Sequence, residues 1–425
     1  MHRLQSWLRN PTMAFAARFN LYAISLAALW TPLGTVLLQQ RVGGITPHAF
    51  RDTALGIMTF VGIGIAALTE PIAGRISDRA PLPDRRRPFI VGATLLDLLF
   101  LLGFWWAPSY GWLFAAYILL QLSSNVAQAA FQALIPDLVR AQERGLASGV
   151  KNGYDLLGSI IGLAGVGALL GSGLGEGAAL AFIAGMLILG AGVSIPCVPR
   201  VSPLPPEERA RDLPELVDPR AVPEAFRLDF RAHSAFALAT ACRFLFLFGM
   251  YPVQRFFLYF AQQRYGLQGT GEITSYYFVI LILVGVVAAA GTGALSDRVG
   301  RLNTLRLGIG FSVVGLFGVA YSPTLLVLLA PGVVMAIGLG TFQAVNWAQL
   351  SDFIPGGQEA RFYGLSNIAA AGASAMAGLF GPLISWLNGV TSADSYQLAF
   401  SLAALLALTS LIPLHWMPAG RRWEP

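Results

Sequence analysis

Residues 53–79, TALGIMTFVGIGIAALTEPIAGRISDR, and residues 273–298, ITSYYFVILILVGVVAAAGTGALSDR, follow one course. In each, about twenty apolar residues, enough to cross the hydrocarbon layer of a bilayer, lead to a glycine and then to Ser-Asp-Arg. The first copy closes on Gly74-Arg75-Ile76-Ser77-Asp78-Arg79 and the second on Gly293-Ala294-Leu295-Ser296-Asp297-Arg298. One device in both halves of the chain predicts an all-α integral membrane protein built from an internal repeat.

Working outward, the composition requires the same solvent. Of 425 residues, 55% are hydrophobic and 12% charged. A water-soluble protein carries about 25% charged residues, so this chain cannot cover a water-facing surface. Spanning runs fall at 14–38, 53–73, 89–107, 111–134, 146–171 and 177–198. After a polar break they resume at 234–261, 273–294, 304–322, 324–350, 362–388 and 395–415. The run after Arg3, Arg9 and Arg18 is longer than a signal-peptide core and lacks a small-residue cleavage site, so it is read as the first span. The remaining arginines crowd alternate loops: Arg75, Arg79 and Arg85 to Arg87, Arg140 and Arg144, Arg298, Arg301 and Arg306, Arg361, Arg421 and Arg422. Only Arg41, Arg51 and Arg264 fall on the other side. That bias places both termini in the cytoplasm and the protein in the plasma (inner) membrane. The resulting division is 1–198 as one six-helix bundle, 199–233 as a Pro-rich, charged cytoplasmic linker, and 234–425 as the second bundle.

The repeat has a second echo after the fourth span of each half. Gln132-Ala133-Leu134-Ile135-Pro136-Asp137, with Glu143 and Arg144 beyond, answers Trp347-Ala348-Gln349-Leu350-Ser351-Asp352, with Glu359 and Arg361 beyond. With these loops and the 6+6 arrangement, the whole chain resembles the major facilitator superfamily. Arg85-Arg86-Arg87-Pro88-Phe89-Ile90 is further similar to the sucrose transporter and glycoside–cation symporter branch. The chain departs from that branch where Gln128 stands for a cation-binding carboxylate, Gln132 for an arginine, and Asp52 is alone on the second helix. The resemblance implies twelve helices in two pseudo-repeat bundles around a polar cavity lined by the fourth and tenth helices. It also implies a cytoplasmic gate made by Asp78, Arg79, Arg144, Asp297, Arg298 and Arg361. In that gate Asp78 faces the eleventh helix near Arg361, and Asp297 faces the fifth near Arg144.

Polar residues at membrane depth need a reason, since a charge at the centre costs about 2.5–3.5 kcal/mol. Asp155 falls roughly 15 Å along the fifth span, with Lys151 one turn earlier on the same face; the pair reads as proton-coupling or as a structural ion pair. Arg243 has no local acid and reads as facing an anionic substrate or a carboxylate of the other half. Asn125, Gln128 and Gln132 form one helical stripe, and Gln343, Asn346 and Trp347 occupy the matching helix of the second half. Amides beside an aromatic ring suit a hydroxylated solute; amide pairing between helices is the structural alternative. Asp97 reads as a pairing residue and Glu70 as part of the inner gate.

Nothing resembles an enzyme. There is no phosphate-binding loop, and the four histidines lack metal spacing, so neither a metal nor a cofactor is expected. The charge of +6 is spread over short loops, which argues against nucleic acid. The reading is a monomeric secondary transporter in the lipid bilayer, moving a small-molecule substrate such as a sugar or related polar compound, with protons as the coupling ion. Export of amphipathic compounds, or a transporter-like scaffold holding lipid or pigment, are the alternatives.

Overall fold

Twelve helices, among the residues described, are long and apolar enough to cross a membrane. The structure is a computed structural model describing residues 17–140, 143–202, 233–267, 270–354, 359–391 and 394–417, with the side chains of Asp297 and Arg361 outside that description. The helices are α1 (Ala17–Ile45), α2 (Arg51–Arg79), α3 (Arg87–Trp105), α4 (Tyr110–Leu138), α5 (Arg144–Gly171) and α6 (Gly175–Cys197). They continue as α7 (Ser234–Tyr265), α8 (Thr270–Val299), α9 (Arg301–Tyr321), α10 (Leu325–Asp352), α11 (Phe362–Val390) and α12 (Ser395–His415). Most of the linker read at 199–233 lies outside the described residues.

Their ends follow from local chemistry. The side chains of Ser109, Thr324 and Asp394 accept backbone N–H groups at the starts of α4, α10 and α12. Gly266, at φ 62°, closes α7 in a left-handed conformation that only glycine adopts cheaply.

The burial pattern is inverted relative to a soluble protein. On α3, Thr94 and Asp97 are buried while Leu95 and Leu99 are 62% and 58% exposed. Apolar side chains turned outward around buried polar ones require an apolar solvent. Exposed Trp105, Trp106, Trp112 and Trp416 sit at helix ends, where indoles favour the membrane boundary.

The chain forms two compact units. The first holds α1, α2 from Ile65 onward, α3 to α6, and Gly271–Tyr276 of α8. Within it α1 meets α5 through glycine: a Cβ on Gly158 would come within 2.7 Å of the Ile24 Cα, and one on Gly162 within 2.7 Å of the Ala28 Cα. The second unit holds α2 up to Gly64, α7, α8 from Tyr277, and α9 to α12. There a Cβ on Gly315 would fall 2.7 Å from the Met335 Cα, so α9 and α10 also touch backbone to backbone. In each half, therefore, the second helix contributes its opening turns to one unit and its remainder to the other.

The Ser-Asp-Arg motifs differ from expectation in one respect. Both lie in the last turns of helices, Asp78 in α2 and Asp297 in the backbone of α8, and not in the loops that follow. Nothing before Pro81 breaks α2, and α8 runs on until Gly300, at φ 92°. Asp78 therefore sits at the negative end of a helix dipole and needs a cation nearby.

Candidate substrate and proton site

In the first unit a cavity of about 230 Å³ opens between α1, α4 and α5, lined by Ala23, Leu26, Ala27 and Trp30, by Gln128 and Phe131, and by Lys151 and Asp155. The alanines on α1 leave the space. Trp30 is fixed in orientation because its indole N–H donates to Ser124 Oγ at 2.7 Å. Lys151 Nζ lies 2.9 Å from Asp155 Oδ2, one helical turn away. Asp155 is about 16 Å along α5 from Arg144, well inside an apolar layer.

Glu70 of α2 completes the cluster. Its carboxylate is within side-chain hydrogen-bonding reach of Gln128 and Gln132 and within Coulombic reach of Lys151. Lys151 is ion-paired with Asp155 and only within Coulombic reach of Glu70, and the stripe on α4 joins Glu70 to the cavity. Asn125, on the same helix, instead donates to the Gln121 carbonyl at 2.8 Å and does not line the cavity.

In the second unit Arg243 of α7 meets the matching stripe on α10. Its Nη1 donates to Asn346 Oδ1 at 3.2 Å, and its guanidinium carbon lies 4.8 Å from the centre of the Trp347 ring. Trp347 in turn packs on Tyr363, which shares a hydrogen bond with Ser351. Arg243 is 5% exposed and Asn346 fully buried, yet Arg243 Nε, Asn346 Nδ2 and Gln343 Oε1 have no hydrogen-bond partner among the described residues.

The family model of the Major Facilitator Superfamily matches residues 12–379. The chain belongs to this superfamily. Similar solved structures include a bacterial homolog to the human lysosomal transporter Spinster, inward-facing and occupied, with TM-score 0.77, 14% identity, and 97% and 98% of the two chains covered. The nucleoside transporter NupG gives TM-score 0.71 at 13% identity over 95% and 99% of the chains. A variant of the peptide transporter POT in complex with sulfate gives 0.71 at 13% over 95% and 94%. Among curated proteins, Myo-inositol transporter 1A of Cryptococcus neoformans var. grubii is 23% identical over 141 residues, 33% of this chain. The match spans only 24% of that relative's length. As a member of the superfamily the chain is a multi-pass transporter of small solutes and not an enzyme.

At the arginine-rich end of this superfamily member, the structure brings together charges that sequence reasoning quoted but did not pair. Arg86 is 2% exposed and joins Asp78 and Asp137, with Nε 2.7 Å from Asp137 Oδ2; Arg85 also reaches Asp137 at 2.9 Å. In the other half Arg301, at the start of α9, pairs with Asp352 at the end of α10. Each repeat therefore ties the start of its third helix to the end of its fourth, and the signal was the matched position of Asp137 and Asp352 in the two echoes. Of the remaining gate candidates, Arg79 lies in the last turn of α2 and Arg298 is exposed near the end of α8. Arg144 donates to the Pro136 and Val139 carbonyls. The side chains of Asp297 and Arg361 lie outside the described residues.

Proposed function

We propose that this transporter moves a small polar solute across the plasma (inner) membrane by alternating access, as a monomer with both termini cytoplasmic, and that protons drive it. In this reading the bundles of residues 1–198 and 234–425 are the moving bodies. The observation that carries proton coupling is the charge count around the first unit's cavity: among the described residues, Glu70 and Asp155 stand against Lys151. With both acids ionised, one negative charge is uncompensated in an apolar layer, which is costly. A bound proton removes that cost. Lys151 can then serve whichever carboxylate is ionised, so protonation changes how α2, α4 and α5 are held together.

The amides of Gln128 and Gln132 beside Trp30 support a hydroxylated solute. The named solutes of the relatives, nucleosides, peptides and myo-inositol, are all small and polar, which favours the same class. The gate set of Asp78, Arg79, Arg144, Asp297, Arg298 and Arg361 belongs to this proposal.

The test is uptake into proteoliposomes of labelled myo-inositol, uridine and glucuronate, with and without an imposed inward proton gradient. An interior pH dye is read in parallel. A solute that accumulates only with the gradient, and fails to do so in Asp155→Asn or Glu70→Gln while equilibrium exchange persists, supports the proposal. Accumulation by both variants equal to the unsubstituted protein, with no proton entry, sinks it.

A further inference from the structure

The second unit holds a buried charge that no carboxylate answers among the described residues. Among the described residues Arg243 has no carboxylate partner: its contacts are the Asn346 amide oxygen and the Trp347 ring face. The geometry of what is used shows what is left. Nη1 is taken by Asn346 and the π face by Trp347, so the Nε–Nη2 edge remains unpaired, and Nε is buried without a partner. That edge is the fork that grips a carboxylate or phosphate with two parallel hydrogen bonds. Beside it, Asn346 Nδ2 is a second buried donor without an acceptor.

A buried guanidinium with unmet donors is destabilising unless something supplies the acceptors. Asn346 and Trp347 of α10 hold it in place from across the helix interface, so Arg243 is not a stray topology charge. We infer that Arg243 and Asn346 form the binding site for an anionic group, and that the transported solute carries a carboxylate or a phosphate. Gln343 Oε1, three residues before Asn346 and also unpartnered, is placed to accept from a hydroxyl of the same solute. Arg243 is 5% exposed and Asn346 fully buried in this conformation, so loading goes with a movement of the neighbouring helices, as transport requires.

The inference rests on the transport reading, and it narrows that reading to polar anions. The charge count also closes: one anion at Arg243 and one proton at the Glu70–Lys151–Asp155 cluster make an electroneutral load.

The test is made on binding, without any gradient, so it fails independently of proton coupling. The melting midpoint of the purified full-length protein is measured in detergent with glucuronate, inorganic phosphate, glucose or myo-inositol at matched ionic strength, chloride being the control. At least one anion raises the midpoint, and its neutral counterpart does not. Arg243→Gln abolishes the response. Arg243→Lys, which keeps the charge but loses the fork, weakens the apparent affinity about tenfold. Asn346→Asp supplies an internal carboxylate to Arg243, so it melts at or above the unsubstituted midpoint and ignores anions. That variant keeps the inference testable if Arg243→Gln does not fold. No response to either anion beyond chloride, or an undiminished response in Asn346→Asp, overturns it.

Discussion

Tyr396 of α12 donates a 2.7 Å hydrogen bond to Oδ1 of Asp52 at the start of α2, 344 positions away in sequence. The Arg51 guanidinium covers the ring of Tyr259 at 4.5 Å and lies 3.8 Å from the other carboxylate oxygen. All four side chains are buried. A little further along, Gly56 meets the backbone of Gly378 and Gly381, so the opening turns of α2 are built into the second unit by polar and steric fit together.

Removing the phenol therefore leaves a buried carboxylate short of a donor. Tyr396→Phe is expected to cost about 1–3 kcal/mol, because an unsatisfied buried group bears its full desolvation penalty. Asp52→Asn retains an acceptor for Tyr396 but takes the carboxylate from buried Arg51, so it should cost more. Melting of the purified proteins by tryptophan fluorescence ranks them, and a Tyr396→Phe midpoint equal to the parent would show that the contact contributes nothing.

Where α1 and α5 cross, size decides. Gly158→Val places side-chain atoms against the Ile24 backbone, and overpacking of this kind typically costs about 1–3 kcal/mol. Gly153→Val is the control on the same helix, since nothing lies within 4 Å of a Cβ there. Size-exclusion profiles of the two variants should separate, with Gly158→Val losing the monodisperse peak. Equal profiles would mean the close approach of α1 and α5 is not needed.

The twelve spans were legible because a bilayer imposes length and hydropathy on each helix separately, and neither depends on knowing the neighbours. The pairing of polar groups was not legible in the same way. Asp52 read as solitary because Tyr396 and Tyr259 lie in other helices, and Glu70 read as a gate residue because its amide partners come from α4. Lys151 and Asp155 were readable, being one turn apart on a single helix. Arg243 was readable as unpartnered, but not the use of its Nη1 by Asn346, which fixes the edge that remains. Boundaries failed where no breaker marked them, as at Asp78, which the helix swallows.

Asp97 is fully buried on α3 and, among the described residues, accepts a hydrogen bond from Ser123 while Oδ2 has no partner. No cation pairs with it among the described residues. Asp97→Asn removes the charge while leaving an acceptor for Ser123. It is expected to raise the melting midpoint, as replacing an uncompensated buried charge by a neutral isostere does. A lowered midpoint would show that Asp97 carries a bound cation or an ion pair in the folded protein.

The two clamps that tie third to fourth helices should respond unequally despite their matched positions. Arg86 is buried and serves two aspartates, so Arg86→Gln leaves the half-exposed Asp78 without its cation and the largely buried Asp137 with Arg85 alone. Breaking a buried pair from one side costs about 3–5 kcal/mol, a ceiling here because Arg85 stays with Asp137 and Asp78 is 45% exposed. Arg301 and Asp352 are 32% and 41% exposed, and solvent screens such a pair to about 1 kcal/mol or less. Arg301 also donates to the Ala348 carbonyl at 2.7 Å, a bond that a glutamine can partly replace. Folded yield of Arg86→Gln should therefore collapse while Arg301→Gln stays near the parent, read as the monodisperse fraction after detergent extraction. Arg86→Lys should recover only part of the loss, because a single ammonium cannot reach Asp78, Asp137 and the Ser77 hydroxyl at once as the guanidinium does. Equal yields for the two glutamine variants would mean that burial at Arg86 is not what sets the strength of the clamp.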